Sequence, residues 1–202
     1  MSIFTTYLKL GFLHICSWQA TDHLTFLLAL CAPYVLADWR RVAVLVTSFT
    51  VGHSITLALA TLGFVGFNAS IVETLIPVTI IATALVNMYQ AGPTLVRKSR
   101  RELPLLWTLP NALAAVFGLI HGLGFSSYLR ALLGTRTRPI AELLSFNLGV
   151  EAGQLLIVSI MLFVGFMLLR LIGVVRRDWI LATSGAALGI ATLLLLQMHG
   201  QH

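Results

Sequence analysis

Long apolar runs separated by short polar or basic breaks dominate this chain. Apolar residues fill 3–17, about 22–37, 42–64, about 70–89, 106–129, 139–170 and 179–197. A helix rises about 1.5 Å per residue against a hydrocarbon core about 30 Å thick, so the six later runs predict membrane spans. The first run covers only about 22 Å and predicts a short helix, either tilted through the bilayer or lying at its interface. The expected fold is all-α: a polytopic transmembrane helix bundle of six spans plus a short N-terminal helix, or seven spans, forming a single integral membrane domain over 1–202.

The breaks fall at Ser17–Thr21, Asp38-Trp39-Arg40-Arg41, Gly63–Asn68, RKSRRE (97–102), Gly134–Arg138 and Arg176-Arg177-Asp178. Pro33 and Pro77 are interruptions that a membrane helix tolerates, and Pro139 suits a first turn. Ser70 followed by Glu73 reads as a capping box opening the third long helix. Asn87 and Thr83 are expected to bond across helices, and Gly118, Gly122 and Gly124 to let two helices approach closely.

Composition agrees with that pattern: 58% of the 202 residues are hydrophobic and 10% charged, with a mean hydropathy of +0.93. The net charge of +6 sits in the interhelical clusters, which excludes a nucleic-acid surface. By the positive-inside rule, nine Lys and Arg (Arg40, Arg41, Arg97, Lys98, Arg100, Arg101, Arg170, Arg176, Arg177) mark the cytoplasmic face. Arg130, Arg136 and Arg138 remain outside, with the C-terminus. Cys16 and Cys31 read as small buried hydrophobes rather than a disulfide. The first residues lack a basic segment followed by a small-residue cleavage site, so no cleaved signal peptide is expected. No internal repeat is evident.

Ionisable groups within the apolar runs carry the chemistry, because lipid tolerates them poorly. Counted by helical rise, His53, His121 and Glu151 fall between the midplane and the outer surface, with Asn147 and Gln154 nearby, while Asp22 and His23 open a helix at the outer rim. His14 lies just before them. Imidazoles suit nickel, cobalt, zinc, copper and iron, and carboxylates supply compensating charge. His14, Asp22, His23, His53, His121 and Glu151 are therefore candidate ligands of a divalent transition metal, with Asn147, Gln154 and Ser48 as supporting polar neighbours. Taken singly, His53 or His121 fits a helix–helix hydrogen bond equally well, and Asp22 fits a helix N-cap. Glu151 is harder to explain otherwise, since no Lys or Arg shares its depth. Ser126 and Ser127 follow His121 without any nucleophile elbow, and His199 and His202 form a weak metal-scavenging end.

The motifs GFLHI with DHLTFLLAL, VTSFTVGHSITLALATLG, FGLIHGLGFSSYL and LLSFNLGVEAGQLLIV resemble, in order, those of the HupE/UreJ family of hydrogenase and urease accessory membrane proteins, and most closely its second branch. The resemblance spans about 11–160. It implies a multi-pass protein of the bacterial inner membrane and a nickel or cobalt permease, with His14, Asp22, His23, His53, His121, Asn147 and Glu151 at the family's motif positions. The chain lacks the long extracytoplasmic domain and histidine-rich tail that some members carry, which leaves room for a second copy of the chain or a metal-delivery protein as partner. An intramembrane metalloenzyme using the same residues is the competing expectation.

Overall fold

A computed structural model describes residues 2–18, 20–91, 109–133 and 139–199. Among these residues all regular structure is helical: α1 (Ile3–Cys16), α2 (Thr21–Cys31), α3 (Trp39–Thr61), α4 (Ala69–Gln90), α5 (Leu109–Leu133), α6 (Ile140–Met167) and α7 (Arg176–His199). A 3-10 turn at Leu36–Asp38 leads into α3, and a π-helical turn at Leu168–Ile172 finishes α6. The RKSRRE stretch, Pro104, the Gly134–Arg138 loop and His202 lie outside the described residues.

Helices α3 to α7 are each long and apolar enough to cross a bilayer. Their outward faces carry exposed Leu85, Val86, Leu156, Phe163, Leu193 and Leu196, a surface suited to lipid chains. This is a multi-pass membrane protein.

The span expected at 22–37 is corrected: α2 stops at Cys31 after 11 residues. Pro33 has no N–H with which to reach the Ala29 carbonyl, so the helix cannot continue its ladder there. Asn87 of α4 supplies the missing donor, its Nδ2 donating to the Ala29 carbonyl at 2.7 Å. The Pro33 carbonyl in turn accepts from Arg176 at 2.7 Å. The helix–helix role expected of Asn87 is thus its role here, whereas Thr83 donates within α4 to the Thr79 carbonyl.

Helices α1 and α2 follow one another along the bundle. The second half of α1 lies against the first half of α6, with Leu8 and Phe12 at Gly149 and Ile15 at Gly153. The end of α2 reaches Asn87, near the end of α4. Between them, Ser17, Trp18 and Ala20 lie outside the helices, at the level of the middle of α3 and α5. Irregular backbone within a bilayer needs its polar groups satisfied by protein. Ser17 Oγ donates to the His14 carbonyl at 3.4 Å, Thr21 Oγ1 to the Trp18 carbonyl at 2.8 Å, and the Ala20 N–H to the Ser17 carbonyl at 3.1 Å.

Glycines set the remaining spacing. A Cβ on Gly52 would lie 2.1 Å from the Ala115 carbonyl oxygen, and one on Gly118 2.1 Å from that of Phe49. Helices α3 and α5 therefore run side by side with backbones touching, as small residues at membrane interfaces allow. Gly11 and Gly149 do the same for α1 and α6. A buried cluster of Phe26, Phe49, Ile80, Ala84, Ala187 and others joins α2, α3, α4 and α7. The expected capping box is also corrected: Asn68 caps α4, its side chain accepting from the Ser70 and Ile71 N–H groups, and Glu73 is exposed.

Candidate metal centre

The break between α1 and α2 leaves His14 in the last turn of the first half-helix and Asp22 and His23 in the first turn of the second. The close pairing of α3 with α5 turns His53 and His121 toward them. His23 sits at the hub, its ring centroid 5.3 Å from that of His14, 5.8 Å from His53 and 5.2 Å from His121. His23, His53 and His121 are buried, while His14 and Asp22 are partly exposed.

Depth is corrected here for Asp22 and His23. The sequence count starts their helix at the outer rim, but α1 has already carried the chain into the bundle before α2 begins. They therefore lie beside His121, which stands at the centre of α5. Asp22 is not the N-cap, a position held by Ala20. Its Oδ1 accepts from the His23 N–H at 2.8 Å and pairs with His23 Nδ1 at 3.0 Å. The N-terminal end of α2 also favours the carboxylate, since unpaired N–H groups give it partial positive charge.

Asp22, His23 and His121 can each offer a ligand atom, and those atoms lie within 4.8 Å of one another. His14 and His53 stand outside that tight group but next to it. Several ring nitrogens here are buried without a hydrogen-bond partner: Nε2 of His14 and of His23, both nitrogens of His53, and Nδ1 of His121. Buried polar groups are normally paired, so lone pairs gathered this way around a carboxylate match what a divalent transition metal requires. Bonding Nδ1 of His23 to a carboxylate leaves Nε2 free to coordinate, an arrangement common around bound metals. Aromatic rings wall the cluster: Phe125 lies 3.9 Å from His14, and Phe26 and Phe49 each lie 5.2 Å from His121. Such walls exclude water and strengthen electrostatic interactions inside.

Glu151 is placed differently from the sequence expectation. Its Oε1 accepts from Thr47 at 2.8 Å on the α3–α6 seam, and it does not join the Asp22, His23 and His121 group. Gln154 is buried next to it, its Oε1 accepting from Thr50 at 2.7 Å. Asn147 donates to the Leu143 carbonyl and Ser48 to the Val44 carbonyl, both within their own helices. Ser126 Oγ donates to the Leu123 carbonyl, so no serine–histidine pair is formed there.

One residue escaped the sequence reading. Thr79, buried at the middle of α4, brings its Oγ1 to 3.2 Å from His121 Nε2. The available signal was positional: α4 and α5 are antiparallel, and both residues stand at helix centres.

No curated protein and no solved structure matches the chain. The family model described as HupE / UreJ protein matches residues 1–199. With that match over nearly its full length, the chain belongs to the HupE/UreJ family, whose name links it to nickel- or cobalt-handling accessory membrane proteins.

Proposed function

We propose that this protein is a permease for a divalent transition metal, nickel first and cobalt second, of the bacterial inner membrane. The cation is cargo, taken up at Asp22, His23 and His121, with His14 and His53 as adjoining ligands during its passage. The observation that carries this reading is the convergence of four imidazoles and one carboxylate, from two half-helices and two long helices, around His23.

In this reading α1 and α2 together make one interrupted crossing, and the interruption is where the metal is held. Discontinuous helices with polar groups at the break suit transport, because the ligands sit between two packed halves that can shift against each other. The partly exposed Asp22 and His14 form the entrance, and the buried rings replace the ion's water. The Thr50–Gln154 and Thr47–Glu151 pairs begin one turn along α3 from His53, toward the end of the helix that carries Arg40 and Arg41. They supply the next polar oxygens in that direction, weaker donors to nickel or cobalt than imidazole, so an ion can leave them. The arginine-rich face is cytoplasmic and the C-terminus extracytoplasmic.

The test is uptake of radiolabelled nickel and cobalt into proteoliposomes holding the full chain. Time-dependent accumulation that His23→Ala abolishes supports the reading. Stoichiometric metal that never exchanges or accumulates refutes transport and favours a resident metal centre.

A further inference from the structure

We propose that Thr79 is a positioning residue for the metal centre: it holds His121 in the tautomer that carries its proton on Nε2 and keeps the Nδ1 lone pair for the cation. The inference rests on the metal reading above and adds which atom of His121 binds and what fixes it.

A threonine hydroxyl has one proton to donate and lone pairs with which to accept. Thr79 Oγ1 lies 2.7 Å from the Ile76 carbonyl oxygen, one turn back on α4, and 3.2 Å from His121 Nε2. A carbonyl can only accept, so the hydroxyl proton is committed to Ile76, the usual behaviour of threonine within a helix. Toward His121 the same oxygen can then only accept, which places a proton on Nε2. In the neutral ring that leaves Nδ1 unprotonated, and Nδ1 is the His121 nitrogen that is buried with no protein partner.

His23 is fixed in the opposite sense. The Asp22 carboxylate, 3.0 Å from Nδ1, accepts from a proton held on that nitrogen and leaves Nε2 free, again a buried nitrogen without a partner. The centre therefore offers one Nε2 donor from α2 and one Nδ1 donor from α5. Each is oriented by an acceptor on its far side, a carboxylate in one case and a hydroxyl already spent on a carbonyl in the other. Thr79 is 5% exposed, so water does not compete for that contact. Groups that orient a ligating imidazole typically contribute 10–100-fold in metal affinity.

The experiment is nitrogen NMR of ¹⁵N-histidine-labelled full-length protein in detergent, metal-free and then titrated with cobalt, with His121→Asn used to assign the ring. The expected wild-type result is a proton on Nε2 of His121, with cobalt perturbing Nδ1. Thr79→Ser is expected to keep the tautomer and the affinity. Thr79→Val, which preserves shape and whose fold is checked by melting in detergent, is expected to mix the tautomers and weaken cobalt binding 10–100-fold. A proton on Nδ1, cobalt perturbing Nε2, or a Thr79→Val protein with unchanged tautomer and affinity would overturn the proposal. If the wild type shows the Nε2 proton yet binds no cobalt, the metal role assigned to Thr79 falls with the metal reading, and only the proton placement stands.

Discussion

Replacing Gly122 with alanine tests how the α3–α5 seam builds the centre. The new Cβ would lie 2.2 Å from the His53 carbonyl oxygen and 2.3 Å from Thr56 Oγ1, where ordinary contact starts at 3.4 Å. The first contact is with backbone, which cannot rotate aside, so the helices must part by about 1 Å. Overpacking of this kind costs about 1–3 kcal/mol. The same movement strains the bond from Thr56 Oγ1 to the Leu119 carbonyl, 2.7 Å long and contributing about 1 kcal/mol. His53 and His121 ride on the two helices that separate, and a metal site tolerates only about 0.5 Å of misplacement. Thermal unfolding in detergent and nickel titration calorimetry should therefore show Gly122→Ala melting lower and binding at least about tenfold more weakly. Gly66→Ala is the control, since nothing lies within 4 Å of its Cβ position, and it should match the wild type in both assays. A Gly122→Ala protein with unchanged melting and unchanged affinity would refute the argument that this seam sets the geometry of the centre.

Other substitutions probe separate parts of the account. Asp22→Asn removes the charge and leaves His23 Nδ1 only a weaker, neutral acceptor, and should weaken nickel binding 10–100-fold in equilibrium dialysis with little change in helix content by circular dichroism. Asn87→Leu leaves the buried Ala29 carbonyl without a donor and should cost about 1–3 kcal/mol of stability, read as a lower melting temperature. Metal binding needs unprotonated imidazoles, so affinity should fall as pH is lowered and binding should release protons, measured by calorimetry in buffers of different ionisation enthalpy. A pH-independent affinity would argue against histidine ligands.

Much of the bundle is legible in the hydrophobic pattern. Helices α3 to α7 begin and end within a few residues of the expected runs, because each run must by itself match the thickness of the bilayer. The Gly118 and Gly122 contacts also follow from the sequence, since a glycine on an apolar helix has few other uses. The broken helix does not follow. Residues 3–17 are too short to cross, and 22–37 looks nearly long enough because the apolar composition continues past Pro33. Only the Ala29 carbonyl, left without a backbone donor by Pro33, reveals that α2 ends early. That one boundary also moves Asp22 and His23 from the rim to the interior. Glu151 illustrates a different limit: helical rise gives its depth, but the rotation of α6 decides its neighbour, and that rotation brings Thr47 rather than the imidazoles. Thr79 carries no charge, so nothing in composition marks it. It matters only because His121 stands opposite.

X-ray absorption at the nickel edge of the loaded, full-length protein bears most directly on the central claim, that half-helices α1 and α2 with α3 and α5 enclose a dehydrated divalent metal. The account predicts a first shell of nitrogen and oxygen with the multiple-scattering signature of at least two imidazoles, reduced by His23→Ala and again by His121→Ala. A shell of water oxygens alone, or a spectrum unchanged by both substitutions, would contradict it.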